Sequence, residues 1–490
     1  MPIHRPHHRS DLVRIAIRAM SEHGLQPEFT VAVERQLANI TGPGQEQNVD
    51  IRDLSGLLWC SIDNDDSLDL DQLTACETLP NGAVRLYVAI ADVDALVQRD
   101  TPIDECACAN TTSVYTSARI FPMLPERLST DLTSLNAHQD RLAVVTEMVF
   151  NADASMAGST VFRAKVRNHA KLAYDAISAW LDGTALLSAA ATAVPGMDAQ
   201  LRTQDSLAQL LRVRRHAEGA LEFQSFQPRV VFDGERVTNI QLQDHNRARQ
   251  LIEELMIATN TCTARYLASR GRASLRRVVR SPERWLRIVG VANGYGEALP
   301  PEPDSKALEA FLIKRRRMDP LRFPDLSLVI VKLMGRGEYV LELPGGAPIG
   351  HFGLAVSDYT HSTAPNRRFP DLITARLVKA ALADQPSPYS SAELNALADH
   401  CTRQEGAAQK VERQMRKSEA ALLLESRVGQ HFDAIVTGAS ENGVWVRILN
   451  PPAEGKLVDG TVSFDVGNKL RVKLVSANVE RGFIDFVSSD

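Results

Sequence analysis

Cysteine is scarce in this chain, and what there is does not pair. Its six cysteines in 490 residues (Cys60, Cys76, Cys106, Cys108, Cys262 and Cys401) contain no Cys-x-x-Cys pair, which excludes a disulfide scaffold and a paired-cysteine zinc site. No apolar run approaches the ~18–20 residues that cross a bilayer. The best candidate, Ala185–Val194, is short, Ala-rich and broken by Ser188 and Thr192. The first ten residues hold no apolar signal core, so a soluble cytoplasmic protein without membrane contact is expected. An excess of positive charge is missing too. Lys and Arg number 55 against 60 Asp and Glu, a net charge of −5, which argues against a protein that coats nucleic acid indiscriminately. The 44% hydrophobic and 23% charged content supports a sizeable globular core, and the length suggests roughly three domains at about 150 residues each.

Charge is unevenly spread. Eight arginines and one acid, Glu283, lie between Arg265 and Arg287, and Lys314-Arg315-Arg316-Arg317 follows. One such run is usually a solvated helix face; two in an acidic chain fit a track for phosphates somewhat better.

Along the chain, Leu12, Ile15, Ile17 and Met20 recur at near-helical spacing behind a possible Ser10 cap. After Gly24 and Pro27, Phe29, Val31, Val33, Leu37 and Ile40 mark a second helix ending near Gly42-Pro43-Gly44. Two such helices suit a helix-turn-helix module docking on nucleic acid, or equally an arm packed on the next domain. Leu57–Ile62 and Val84–Ile90 read as strands, and Lys171 to His216 as helical. Val230–Asp233 and Val237–Leu242 form a hairpin turning at Asp233-Gly234, and Leu251–Leu267 and Ser391–Leu424 are helices. No βαβ period appears, which favours α+β. From Phe432 on, short alternating strands separated by Gly, Asn and Asp predict a small antiparallel barrel of OB size. Trp445, Arg447 and Lys473 would line its nucleic-acid groove, with Phe432, Phe483 and Phe486 in its core. The expected division is residues 1–50 helical, 51–428 catalytic and 429–490 barrel.

The most informative stretch is Ser61-Ile62-Asp63-Asn64-Asp65-Asp66-Ser67-Leu68-Asp69-Leu70-Asp71-Gln72. Five aspartates follow directly on an apolar strand, and Asp69 and Asp71 share one face of an extended segment. Concentrated negative charge of this kind calls for a divalent cation. An EF-hand is excluded, because Leu68 sits where the turn glycine belongs and Thr74 where the bidentate glutamate belongs. A solvated acidic turn is the bland alternative. A hard-metal site for Mg²⁺ (or Mn²⁺), of the kind that activates water for phosphodiester cleavage, fits better.

This segment resembles the first signature of the ribonuclease II family of 3′→5′ exoribonucleases. Further stretches match in the same order: Val88–Val93, Phe121–Pro125 with Leu128–Leu132, Ile252–Asn260, His351–Ala355 and Tyr359–Leu372. The resemblance spans roughly residues 53 to 425, and an ordered set is far more specific than any one motif. It implies that Asp63, Asp69 and Asp71 are three of four catalytic, metal-binding aspartates, while Gln72 stands where the fourth belongs. An amide offers oxygen but no charge, so Asp65 or Asp66 is expected to restore the missing carboxylate. Arg367 matches an arginine that clamps the scissile phosphate, and Arg368 beside it is expected to contact RNA. Glu412 resembles a late glutamate near the site, against a plain reading as a surface ion-pairing residue. Tyr115 and Phe223 resemble the aromatic pair that clamps terminal bases, and Tyr174 and Glu253 the residues at the last nucleotide and its sugar. Read without the resemblance, each aromatic is a core residue first. Family members usually carry two cold-shock barrels ahead of the catalytic domain, for which the 62 residues before Asp63 are too few, whereas the C-terminal barrel resembles the family's S-one-type domain. The function implied is a metal-dependent, processive exoribonuclease, acting as a monomer on single-stranded RNA and releasing nucleoside 5′-monophosphates. Gln72 keeps an inactive RNA-binding relative as the alternative.

Overall fold

The computed structural model describes residues 8–46, 51–223, 228–233, 236–242, 246–320, 322–440, 443–458, 464 and 467–489. Its frame is a seven-stranded mixed sheet. In spatial order the strands are Arg52–Asp53, Met156–Arg167, Asp140–Phe150, Val84–Ala91, Gln72–Thr78, Cys60–Asp63 and Ala170–Ala173. The two edge pairings are parallel and the interior ones antiparallel. This is the expected α+β architecture, with the first predicted strand starting later, at Cys60. Residues ahead of Cys60 turn instead, pinned where Trp59 Nε1 donates to Leu54 O at 2.8 Å.

Both faces of the sheet are covered, which is why Val84–Ala91 reads as an almost unbroken apolar run. Leu86, Val88 and Ile90 face a core shared with Leu201 and Leu207 of helix Met197–Ala217 and Leu251 and Leu255 of helix Arg247–Ser269. Tyr87, Ala89 and Ala91 face the other way, toward Ile103 of helix Pro102–Asn110 and Leu372, Ile373 and Leu377 of helix Phe369–Leu382. The predicted hairpin exists as Pro228–Asp233 paired with Arg236–Leu242; its Asp233-Gly234 turn lies partly outside the described residues.

The first helix, Arg9–Glu22, starts ahead of Ser10 and is held at His8, whose N–H donates to Asp11 Oδ2 at 3.0 Å. Its buried face (Leu12, Ile15, Ala16, Ala19, Met20) joins a core with Val411 and Met415 of helix Ser391–Glu425 and with barrel residues such as Leu474. Arg14 and Arg18 pair with Glu480 of the barrel at 2.5 and 2.9 Å. The second helix, Val31–Ala38, is capped by Thr30 and packs instead on Pro102–Asn110. Each helix thus has its own packing partner in the rest of the fold.

Helix Ser391–Glu425 is the axle of the molecule. A reciprocal cap starts it: Ser390 N–H donates to Glu393 Oε2 at 2.7 Å, and Glu393 N–H to Ser390 Oγ at 3.2 Å. Its 35 residues extend about 50 Å at 1.5 Å per residue, from the catalytic sheet to the barrel. The barrel is closed by His431–Ser440, Gly443–Ile448, Ala453–Leu457, Phe483–Ser488 and Lys469–Asn478 in that spatial order. Ala453–Leu457 is the strand the sequence pattern hid, because Gly455 interrupts it. A Cβ there would lie 2.5 Å from both Ile484 O and the Phe486 ring, so only glycine admits the crossing.

Three barrel expectations change. Phe432 and Phe486 are core, but Phe483 is 56% exposed. Arg447 is no groove cation: its Nη1 lies 2.7 Å from Asp325 Oδ1 in helix Phe323–Met334, tying barrel to catalytic region. Trp445 is half-buried under the Lys456 ammonium. The arginine-rich run changes meaning in the same way. Arg276, Arg277 and Arg280 pair with Glu342, Glu405 and Glu338 at 2.8, 2.6 and 2.5 Å, so much of that charge is consumed inside the fold. Among the described residues no helix is long and apolar enough to cross a membrane.

Because the arm completes a shared core, Ile15→Ala should destabilise the whole protein. The expected loss is about 2–5 kcal/mol, read as a lower urea midpoint with an unchanged slope.

Candidate active site

The acidic stretch is the crossover between two adjacent antiparallel strands, Cys60–Asp63 and Gln72–Thr78, joined by the Cys60↔Thr74 pairing. The sheet therefore delivers both ends of the crossover to one edge. Ser67 N–H closes a turn on Asn64 O at 3.1 Å, after which the chain runs extended. Ser134 holds that extended part, accepting Leu70 N–H at 3.0 Å and donating to Leu68 O at 2.7 Å. With Leu70 anchored in the core, Asp69 and Asp71 are set on either side of it.

Asp71 is 2% exposed. Its Oδ1 accepts Asn366 N–H at 2.9 Å, and its Oδ2 lies 3.4 Å from Arg367 Nε. Burial pushes the Asp71 carboxyl up to about 7; Arg367 and Asn366 oppose the shift and Asp69 and Asp371 add to it. Burial also pushes Asp69 up, with Arg367 opposing and Asp63 adding. Asp63, at the strand end, accepts Asn64 N–H at 2.7 Å. The Arg367 side chain is 43% exposed, its charge available beyond Asp71.

Tyr115 reaches this centre from the loop Val114–Phe121, its hydroxyl 3.4 Å from Asp69 Oδ2. Glu412 is no surface ion-pairing residue: its Oε1 accepts Tyr115 N–H at 3.1 Å, and burial pushes its carboxyl up. On the other flank Tyr174 opens helix Tyr174–Leu181. Its ring lies 4.4 Å below the Arg249 guanidinium, and Arg249 Nη2 donates to Asn64 Oδ1 at 2.6 Å, which links Tyr174 to the acidic crossover. Arg249 and Asn366 were missed in the sequence. Arg249 stands one helical turn before Glu253 on Arg247–Ser269, a spacing that would have found it.

Other expected residues sit differently. Arg368 turns inward, its Nη2 2.7 Å from Asp371 Oδ1, where it braces the loop ahead of helix Phe369–Leu382. Glu253 is on the exposed face of its helix, within the field of Arg215. Phe223 is half-buried at the edge of the cluster that contains Trp285, Ile288 and Phe311. Asp65 and Asp66 are exposed on the turn, and Gln72 is half-buried opposite Ile90.

Among the described residues no three His, Cys, Asp or Glu side chains converge as a ready metal cage. The donor set still fits a hard cation. Mg²⁺ keeps several waters and takes one or two protein carboxylates together with substrate phosphates. Burial pushes both Asp69 and Asp71 up despite Arg367, and a divalent cation beside them would favour their charged forms.

An RNB domain model matches residues 51–384, and the model of the RNase II-type exonuclease C-terminal S1 domain matches residues 430–488. The chain belongs to the RNB-domain family. Ribonuclease R of Vibrio cholerae serotype O1 is 29% identical over 516 residues, covering 96% of this chain and 61% of that protein. The chain thus spans about three-fifths of the length of the curated relatives it matches. Mycoplasma genitalium RNase R in complex with ribose-methylated single-stranded RNA superimposes with a TM-score of 0.88 at 23% identity, over 98% of this chain and 78% of that one. The same protein in complex with double-stranded RNA gives 0.87 at 24%, over 98% and 83%. These two likenesses establish the fold, including the closed C-terminal barrel.

The buried Asp71 carboxyl makes a pH prediction. Its folded pKa, about 7, lies above the unfolded value near 3.9, so its stabilising contribution is present below that value and lost as pH rises through 7. In metal-free protein, Asp71→Asn should therefore raise the melting temperature at pH 8, and the gain should shrink toward pH 5. An equal gain at both pH values would contradict the assignment of an uncompensated charge.

Proposed function

We propose that this protein is a metal-dependent 3′→5′ exoribonuclease that acts in the cytoplasm as a monomer and releases nucleoside 5′-monophosphates. The observation that carries this reading is the meeting of Asp69, Asp71, Arg367 and Tyr115 at the sheet edge of an RNB domain. The relatives' name, Ribonuclease R, supports the substrate class. Asp69 and Asp71, with Asp63, would hold a divalent ion, Mg²⁺ or Mn²⁺, which supplies an activated water and charge neutralisation at the leaving oxygen. The chain's own groups do the rest. Arg367 neutralises and orients the scissile phosphate, and the Tyr115 ring stacks on a terminal base. Tyr174, braced by Arg249, and Glu253 address the last nucleotide and its 2′-hydroxyl. Phe223 and Arg368 are secondary contacts in this reading, Phe223 at the bases and Arg368 through the loop it braces. In this reading Asp66 or Gln72 would offer the metal an auxiliary oxygen in place of the missing fourth aspartate.

The second reading, an RNA-binding relative without turnover, is favoured only by the amide at Gln72. Digestion of 5′-labelled and 3′-labelled oligoribonucleotides with and without Mg²⁺ separates the two. The enzyme releases mononucleotides from the 3′ end only with metal, whereas a binder releases none. Asp71→Asn should lower turnover by several orders of magnitude while RNA affinity stays near that of the parent, because stacking and phosphate contacts lie elsewhere. Near-normal turnover would sink the metal-site assignment. Tyr174→Ala or Glu253→Ala should narrow the ratio of RNA to DNA hydrolysis; an unchanged ratio in both would move sugar selection to other residues.

A further inference from the structure

The loop that brings Tyr115 to Asp69 is short, and it is gripped at its backbone. Val114 pairs with Phe121 and Tyr115 with Ile120. At the tip Thr116 Oγ1 donates to Arg119 O at 2.6 Å and accepts Arg119 N–H at 3.1 Å. Ahead of the loop, Ser113 N–H donates to Arg367 O at 3.0 Å, so the phosphate clamp and the loop share a backbone bond. The outer side is fastened to the N-terminal arm, where Arg119 makes a two-pronged pair with Glu28 at 2.7 and 3.0 Å.

The inner side meets helix Ser391–Glu425, which presents two glutamates seven residues apart and therefore on one face. Glu412 accepts Tyr115 N–H. Glu419 accepts Ser117 N–H at 3.2 Å on Oε1 and the Ser117 hydroxyl at 3.0 Å on Oε2. Glu419 is 1% exposed, and among the described residues these two donors, both on Ser117, are its only hydrogen-bond partners and no cation pairs with it. Burial pushes its carboxyl up to about 7, with the Ser117 hydrogen bonds and the more distant charge of Arg416 opposing. A carboxyl in such a place is a cost that a leucine of similar size would not carry. What the carboxyl adds over an apolar side chain is direction: two acceptors aimed at the residue two positions after Tyr115.

We propose that Glu419 is a positioning residue of the active site, which holds Ser117 on the long helix and thereby sets the Tyr115 ring toward Asp69 and the terminal base. The proposal rests on the exoribonuclease reading for its substrate, and goes beyond it in assigning a residue that touches neither RNA nor metal. Glu412 fixes the loop at Tyr115 itself and Glu419 fixes it one pleat further on. The two glutamates thus hold the inner side of the loop at two points, Tyr115 and Ser117, which together set the direction of the Tyr115 ring.

The test uses the full chain with Mg²⁺ and a short single-stranded oligoribonucleotide, comparing Glu419→Ala, Glu419→Gln, Ser117→Ala, Tyr115→Ala and the Tyr115→Ala/Glu419→Ala double variant. Glu419→Ala should raise KM about tenfold and lengthen the final product, with kcat within about twofold of the parent, since part of one stacking contact is lost. Glu419→Gln, which keeps an acceptor for the N–H and a partner for the hydroxyl, should restore KM to within about twofold. In the Tyr115→Ala background, removal of Glu419 should change nothing further, because its effect runs through that ring. An unchanged KM and product length in Glu419→Ala, or an equal additional loss in the double variant, overturns the proposal. If Glu419→Ala does not fold, Ser117→Ala decides: a KM rise of about threefold supports the role and a parental KM refutes it. The same oligonucleotide with a fluorescent purine at its 3′ end reports stacking without turnover. A parent that quenches it but does not hydrolyse RNA counts against the exoribonuclease reading alone, and loss of quenching in Glu419→Ala still supports the positioning role.

Discussion

The contact between Asp71 and the segment Asn366-Arg367 is the constraint around which the rest is arranged. It joins two parts of the chain nearly 300 residues apart, the acidic crossover and the loop ahead of helix Phe369–Leu382. A carboxylate this deeply buried is tolerated only where a backbone N–H and a guanidinium face it, so the loop has to close down on the sheet edge. Everything that braces the loop serves this closure. Asp371 holds Arg368 and accepts Ala364 N–H at 2.8 Å, and Thr133 donates to Asn366 Oδ1 at 2.5 Å. The compensation is partial by design of the geometry: Arg367 Nε stands 3.4 Å away, and its side chain keeps 43% exposure. A site that neutralised Asp71 completely would leave Arg367 no charge to offer a phosphate and Asp71 no charge to offer a cation.

The sequence was most legible where one local pattern decides the outcome. Val84–Ala91 and Ser391–Glu425 appear within a residue or two of their expected limits, because an apolar run between two helix layers and a capped helical period each admit one structure. Strands whose signal depends on distant partners were lost. Ala453–Leu457 contains a glycine that weakens the strand pattern, yet that glycine is required where Phe486 crosses it. Of the site, Asp69, Asp71, Arg367, Tyr115 and Glu412 come together, since each lies at the end of an element the sheet or long helix positions. Arg368 does not face outward, because the buried Asp371 three residues on outcompetes any external partner. Asn366 and Glu419 were invisible, because their roles are contacts across 295 and 302 residues that no local spacing encodes; Arg249 was findable only through its place one turn before Glu253.

Charge in this protein is mostly structural, which explains why composition said so little about nucleic acid. The arginine-rich run between Arg265 and Arg287 looks like a phosphate track in one dimension. In three, Arg276 reaches Glu342 across a two-stranded sheet, and Arg277 reaches Glu405 on the long helix while lying 4.8 Å from the Tyr339 ring centre. Arg447, one of the barrel's expected nucleic-acid contacts, fastens the barrel to helix Phe323–Met334. The barrel is also tied through Glu480 to the arm, and the arm through Arg119 and Glu28 to the Tyr115 loop. The barrel, arm and clamp loop are therefore one mechanical chain.

That chain gives the buried acids two distinct tasks, and their geometry tells the tasks apart. Asp69 and Asp71 lie on a crossover that returns to the sheet edge, with oxygens facing a half-exposed arginine and a tyrosine hydroxyl. Glu412 and Glu419 lie on one face of the long helix and direct acceptors at backbone N–H groups and one hydroxyl of the Tyr115 loop. Both pairs show carboxyls pushed up by burial, so a raised pKa alone does not distinguish a reacting group from a strut. What distinguishes them is what the oxygens face. The aspartates face a half-exposed arginine and a tyrosine hydroxyl, whereas the glutamates hold the backbone and one hydroxyl of the loop, and Tyr115, touched by Asp69 on one side and Glu412 on the other, is where the two tasks meet.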